Sequence, residues 1–169
     1  MHQGQDGRGA GAGPLTRRRR LAGYLYGSAA ALYVLDRVTK AVVEHTLAGR
    51  PPIEVIPGLV RFRFVDNPGG AFGLFGGQPV LFLVASAIAV VAVVVSSRHL
   101  VSLPSAIGLG LILGGAIGNV TDRVSRGPGI HGSVVDFIDF RVWPVFNVAD
   151  MGIVIGAALV IIASFRHRA

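Results

Sequence analysis

The chain has 169 residues, 51% of them hydrophobic and 15% charged, with a formal net charge of +7 and no cysteine. So apolar a composition excludes an ordinary soluble enzyme and points to a membrane protein, while the lack of cysteine excludes disulfides, thiolate chemistry and Cys-ligated metals. The positive charge would suit nucleic acid, but Arg17 to Arg20 form a block directly before an apolar run, which is the pattern of a membrane flank and implies no nucleic-acid partner.

Residues 1 to 16 are Gly-rich and lack apolar periodicity, so a disordered cytoplasmic tail is expected there. A cleaved signal peptide competes for the same region, with Ala29 to Ala31 as its small-residue site. The apolar segment before that site is short and the run continues beyond it, which suits a retained anchor better. Crossing roughly 30 Å of hydrocarbon takes about 20 mostly apolar residues. Four stretches qualify or nearly do: 21–43, 79–97, 101–119 and 146–165. The predicted fold is one domain over 17–169, an all-α four-transmembrane-helix bundle with a small extracytoplasmic β-sheet lying on the membrane interface. The Arg block, with Arg98, Arg166 and Arg168, puts both termini in the cytoplasm.

In the first stretch, Asp36 and Lys40 are one turn apart in the favourable acid-before-base order. With Arg37 they form an interface anchor that snorkels, or a catalytic group; the residue types favour the structural role. The segment that follows is β-rich over 50–77. There Val60-Arg61-Phe62-Arg63-Phe64 alternates with the period of a strand and sends both arginines to one side. Pro51-Pro52 and Pro57-Gly58 supply its turns. Next comes Asn67-Pro68-Gly69-Gly70-Ala71-Phe72-Gly73, either a turn feeding the second helix, which residue types favour, or a cradle for an extended peptide or lipid head group.

Gly110, Gly114 and Gly118 repeat one turn apart in the third stretch, a face for close helix packing in lipid. It leads into Asn119-Val120-Thr121-Asp122-Arg123, where Asp122 and Arg123 make an ion pair or cap, or Arg123 holds a carboxylate. Asn147-Val148-Ala149-Asp150 reads as a helix start, with Asn147 as N-cap and Asp150 complementing the first-turn dipole. That leaves Asp136 unexplained, inside Val134-Val135-Asp136-Phe137-Ile138, where apolar neighbours favour the neutral carboxyl. If Asp136 and Asp150 meet, they share one proton and make an acid and a base. Asp66, Asp122 and Asp139 compete for the same roles.

Asp36-Arg37-Val38-Thr39-Lys40, Asn67-Pro68-Gly69-Gly70-Ala71-Phe72, Gly118 to Arg123, Val134-Val135-Asp136-Phe137 and Phe146 to Asp150 occur in the order seen in lipoprotein signal peptidase, or signal peptidase II. The chain resembles that family from the first apolar run to the last; only the Gly- and Arg-rich leader falls outside, and the loop after Asn67 is unusually glycine-heavy. The resemblance implies an aspartyl endopeptidase of the bacterial plasma membrane, working near the extracytoplasmic face in contact with membrane lipid; a monomer is expected. Its substrates are diacylglyceryl-modified prolipoproteins, cut just before the lipidated cysteine. Asp136 and Asp150 become the catalytic dyad, while Asn67, Gly69, Asn119, Arg123, Asn147, Asp36 and Lys40 support it or bind substrate. No cofactor and no metal are implied. Three other readings remain: a proton-coupled transporter, which would want broken helices and repeats, an assembly protein built on the glycine face, and a divalent-metal site of Asp122, Asp136, Asp139 and Asp150.

Overall fold

Helix α1 (Pro14–Leu47) starts on a proline, whose missing N–H costs nothing in a first helical turn, and runs for 34 residues. It stops where Gly49 takes a left-handed φ of 71° and Pro51-Pro52 bar further winding. The computed structural model describes residues 14–69, 79–127 and 132–166. Residues 1–13 of the expected tail and Gly70 to Gly73 of the glycine loop lie outside the described residues. Residues 14–16 are helical rather than disordered, because the arginine block forms the first turns of α1 instead of flanking it.

Strands β1 (Ile53–Ile56) and β2 (Val60–Asn67) form an antiparallel hairpin turning at Gly58, φ 78°. Pro57-Gly58 is thus the hairpin turn, as expected, whereas Pro51-Pro52 only leads into β1. Helix α2 (Pro79–Ser96) ends in a 3-10 turn, Ser97–His99. Helix α3 (Leu103–Ser125) opens on the Ser102 cap and runs past the expected end at Asn119, so Asp122 and Arg123 sit on a helix face rather than in a loop. Hydropathy fades at Asn119, but backbone bonding continues until Arg126 caps onto the carbonyl of Asp122 at 2.9 Å. A third strand, β3 (Val134–Asp139), was not anticipated. It pairs antiparallel with β2, in sheet order β1-β2-β3, and carries Asp136. Helix α4 (Val148–Arg166) completes the chain.

Four long helices and a small sheet therefore stand close to their expected places among the described residues. Among the described residues, α3 and α4 are long and apolar enough to cross a membrane, and Leu83–His99 is a shorter apolar stretch. Exposed apolar side chains cover the outside of the bundle, including Val34, Val38, Ile88, Val91, Val154 and Ile161, an inversion of soluble-protein surfaces.

Helix α3 lies at the centre, and its glycines decide how closely the others approach. Gly110, Gly114 and Gly118 abut Leu25, Ala29 and Asp36 of α1, so these helices run parallel. A second glycine face, not foreseen, meets α4 antiparallel: a Cβ on Gly108 would lie 2.7 Å from the carbonyl oxygen of Gly156, and one on Gly115 would lie 2.5 Å from that of Ala149. Leu21, Leu25 and Ala29 of α1 pack with Val93, Ala106 and Leu113 at one end. At the other end, Val43 and Leu47 pack under Val135 and Phe137 of the sheet. The end of α1, the start of α4 and the sheet thereby meet. Replacing Gly156 by leucine forces α3 and α4 apart and is expected to cost about 1–3 kcal/mol, read as a lower unfolding midpoint in detergent. Gly23→Leu, where nothing lies within 4 Å, is expected to leave the midpoint unchanged.

Candidate active site

A lysine ammonium has three donors and no acceptor, so it is stable in a protein interior only where acceptors surround it. Lys40 is 1% exposed, and its Nζ lies 2.8 Å from Asp36 Oδ2, 2.9 Å from Asp122 Oδ2 and 3.0 Å from Asn119 Oδ1. It turns inward instead of snorkelling, which replaces the interface-anchor reading of Asp36 and Lys40. Arg37 pairs with the other oxygen of Asp122, so two cations face two carboxylates. Asp36 Oδ1 accepts the backbone N–H of Ala149 at 3.0 Å and Asp122 Oδ2 that of Val135 at 3.4 Å, which attaches α4 and β3 to the same cluster.

The cluster orients Asn119. Its carbonyl oxygen receives Lys40 and the Asn147 amide (3.2 Å), so its own amide points the other way and donates to Asp150 Oδ1 at 2.8 Å. Asn147 and Asp150 form a reciprocal cap: Asp150 N–H donates to Asn147 Oδ1 at 3.0 Å, and Asn147 N–H to Asp150 Oδ2 at 3.3 Å. The N-cap expected from sequence is present, and it shares its carboxylate with the site.

Asp136 is 2% exposed. Asn147 Nδ2 donates to its Oδ1 and Asn67 Nδ2 to its Oδ2, each at 2.7 Å. Burial, with the nearby charge of Asp150, outweighs these two bonds and pushes the Asp136 carboxyl up from 3.8 to about 7. Asn67 is fixed in turn by the N–H of Gly69, 2.9 Å from its Oδ1; Gly69 sits at φ 111°, a conformation side chains rarely adopt. Asp136 and Asp150, both tied to Asn147, line a cavity of about 390 Å³ together with Asn67, Asn119 and Arg123. Arg123 Nη1 donates to the backbone carbonyl of Asn119 at 3.2 Å, and its charge lies near Asp150, Asp136 and Asp122.

The competing carboxylates go elsewhere. Asp122 belongs to the Lys40 cluster. Burial is the largest single influence on Asp139 and would raise it, but the N–H of Arg141 (2.7 Å) and the Nε groups of Arg61 (2.8 Å) and Arg63 (2.7 Å) together outweigh it and hold the carboxyl down at about 2. Both arginines do point one way, as the alternation required. Asp66 is exposed and bonded to Ser133 at 2.5 Å and Arg126 at 3.3 Å. Asp122, Asp136, Asp139 and Asp150 do not converge as a metal site, and no other cluster of three such ligands occurs among the described residues. Sequence reasoning missed the Ala149 N–H, and it missed Trp143, Pro144 and Val145, which line the cavity; nothing in their local pattern marks them.

A family model described as Signal peptidase (SPase) II matches residues 28–166. The chain belongs to the signal peptidase II family. It is 44% identical to the lipoprotein signal peptidase of Streptomyces coelicolor over 89% of this chain and 74% of the relative, and 43% identical to that of Mycolicibacterium smegmatis over 94% and 68%. Two solved bacterial membrane enzymes, both determined by the in meso method, share its fold. One has a TM-score of 0.73 at 30% identity, covering 87% of this chain and 90% of that one; the other has 0.69 at 32%, covering 83% and 92%. The polar cluster and both carboxylates fall inside the matched segment of this signal peptidase II chain.

Two outcomes follow for stability. Lys40→Met leaves Asp36 buried with its cation gone and is expected to cost about 3–5 kcal/mol, measured by denaturant or thermal unfolding in detergent. Because Asp136 titrates higher folded than unfolded, its favourable contribution is complete below pH 3.8 and is lost as pH rises to about 7. Relative to Asp136→Asn, the wild type is expected to lose about 4 kcal/mol over that interval, at ~1.36 kcal/mol per pKa unit, and nothing more above it.

Proposed function

We propose that this peptidase is an aspartyl endopeptidase of the bacterial plasma membrane that removes signal peptides from diacylglyceryl-modified prolipoproteins, cutting before the lipidated cysteine. One observation carries the reading: two carboxylates from separate elements, each held by an asparagine amide, line a single cavity. Asp150 takes a proton from water, whose oxygen attacks the scissile carbonyl; Asp136 supplies the proton that lets the amine leave as the C–N bond breaks. Asn67, Asn119 and Asn147 hold the two carboxylates apart in role, and Arg123 offsets negative charge developing beside them. Asp36 and Lys40 keep Asn119 oriented, and Gly69 keeps Asn67 oriented.

The relatives' name, lipoprotein signal peptidase, supports the substrate class. The topology supports a site at the extracytoplasmic face. All four helices cross the bilayer in this reading, with Arg17 to Arg20, Arg98 and Arg166 at the cytoplasmic end together with both termini. The parallel run of α1 and α3 then carries Lys40 and Asn119 to the opposite end, where the sheet lies on the interface. A signal peptide is already an apolar helix in that bilayer, so a monomer in contact with lipid can cut it while the acyl chains stay in the membrane.

In a gel-shift assay on a lipidated precursor, purified Asp136→Asn and Asp150→Asn are each expected to lose at least about 10²-fold in turnover and to stay folded. Full turnover by either variant refutes the dyad, and turnover that requires added metal favours metal-assisted hydrolysis instead. The protonated state of Asp136 is the working one, so kcat is expected to fall as pH rises through about 7. A rate that keeps climbing tenfold per unit above pH 8 is incompatible with that role.

A further inference from the structure

Helix α2 is apolar from end to end except for two serines, Ser96 at its C-terminus and Ser86 in its middle. A hydroxyl inside a helix ordinarily bonds back to the carbonyl one turn earlier. Ser28, Thr39, Thr46 and Thr121 all do so here, at 2.7 to 2.8 Å. Ser86 does not, and it has no hydrogen-bond partner among the described residues. It lines the cavity that holds Asp136 and Asp150, between Ala85 and Ala89, and is the one hydroxyl among the described lining residues.

Two of the other polar side chains of the cavity are committed to the carboxylates. The amides of Asn67 and Asn119 donate to the two carboxylates, and Arg123 donates to the carbonyl of Asn119. A peptide entering the cavity leaves water behind, and each of its backbone carbonyls then needs a donor. The alanines on either side of Ser86 leave room for a backbone to come close.

We propose that Ser86 is a substrate-binding residue whose Oγ–H donates to a backbone carbonyl of the signal-peptide segment beside the scissile bond, holding it against α2. This rests on the peptidase reading above and extends it to a second wall of the cavity. Ser86→Ala is expected to lower kcat/KM on a lipidated precursor about three- to tenfold, the effect of one neutral hydrogen bond, carried by KM. Ser86→Thr keeps the hydroxyl and is expected to stay within about twofold of the wild type on the same grounds. Neither change removes an intramolecular bond, so the unfolding midpoint in detergent stays put. Uncleaved precursor binding to Asp136→Asn enzyme is expected to weaken by the same factor when Ser86→Ala is added. The proposal is overturned if Ser86→Ala leaves KM and precursor affinity unchanged, if only kcat falls, or if Ser86→Thr is as impaired as Ser86→Ala. Full turnover by Asp136→Asn, in contrast, removes the dyad and leaves the effect of Ser86→Ala on KM still to be read.

Discussion

A single buried ammonium organises this molecule. Lys40 can be desolvated only because Asp36, Asp122 and Asn119 close around it, and those partners come from α1 and α3, with α4 and β3 attached through backbone N–H groups to the same two carboxylates. Charge balance is local, with Lys40 and Arg37 against Asp36 and Asp122. Pairs of this kind contribute little net stability against an apolar replacement, and breaking one is costly. Their effect is to specify one arrangement of four elements, since any slip of α1 along α3 would strand a charge.

That arrangement is what gives Asn119 a direction. An amide free to flip could offer either its oxygen or its nitrogen to Asp150; with an ammonium on the oxygen, only the donor remains for the carboxylate. Asn147 performs a similar service between the two acids, capping α4 with its oxygen while its amide reaches Asp136. Asp150 completes a helix cap and lines the cavity with the same side chain, so capping α4 and facing the cavity are not alternatives. The exposed apolar bundle and this enclosed polar end are complementary: the glycine faces of α3 bring the backbones close enough for short polar side chains to meet.

Much of this was legible in the chain itself. Run lengths gave the four helices, the alternation around Arg61 and Arg63 gave a strand with both arginines on one side, and the glycine repeat gave the α1-facing side of α3. Family resemblance singled out Asp136, Asp150 and the asparagines, all of which line or brace one cavity. Boundaries were less legible, because hydropathy reports where lipid contact ends and not where backbone hydrogen bonding does. For that reason α1 extends back over an arginine block and α3 extends forward to carry Asp122 and Arg123.

The sequence by itself determined the class of the molecule, the order of its elements and which acids were candidates, since composition and periodicity are properties of local stretches. Tertiary structure decided which acids meet. Asp139 and Asp136 share one strand and neighbouring apolar residues, yet one is clasped by two guanidiniums and held down while the other is enclosed beside Asp150 and pushed up to about 7. The pairing of β2 with β3, and the docking of that sheet on the end of α1, separate the two fates. Charge interactions between residues far apart in the chain depend on distance and dielectric, neither of which is encoded at any one position.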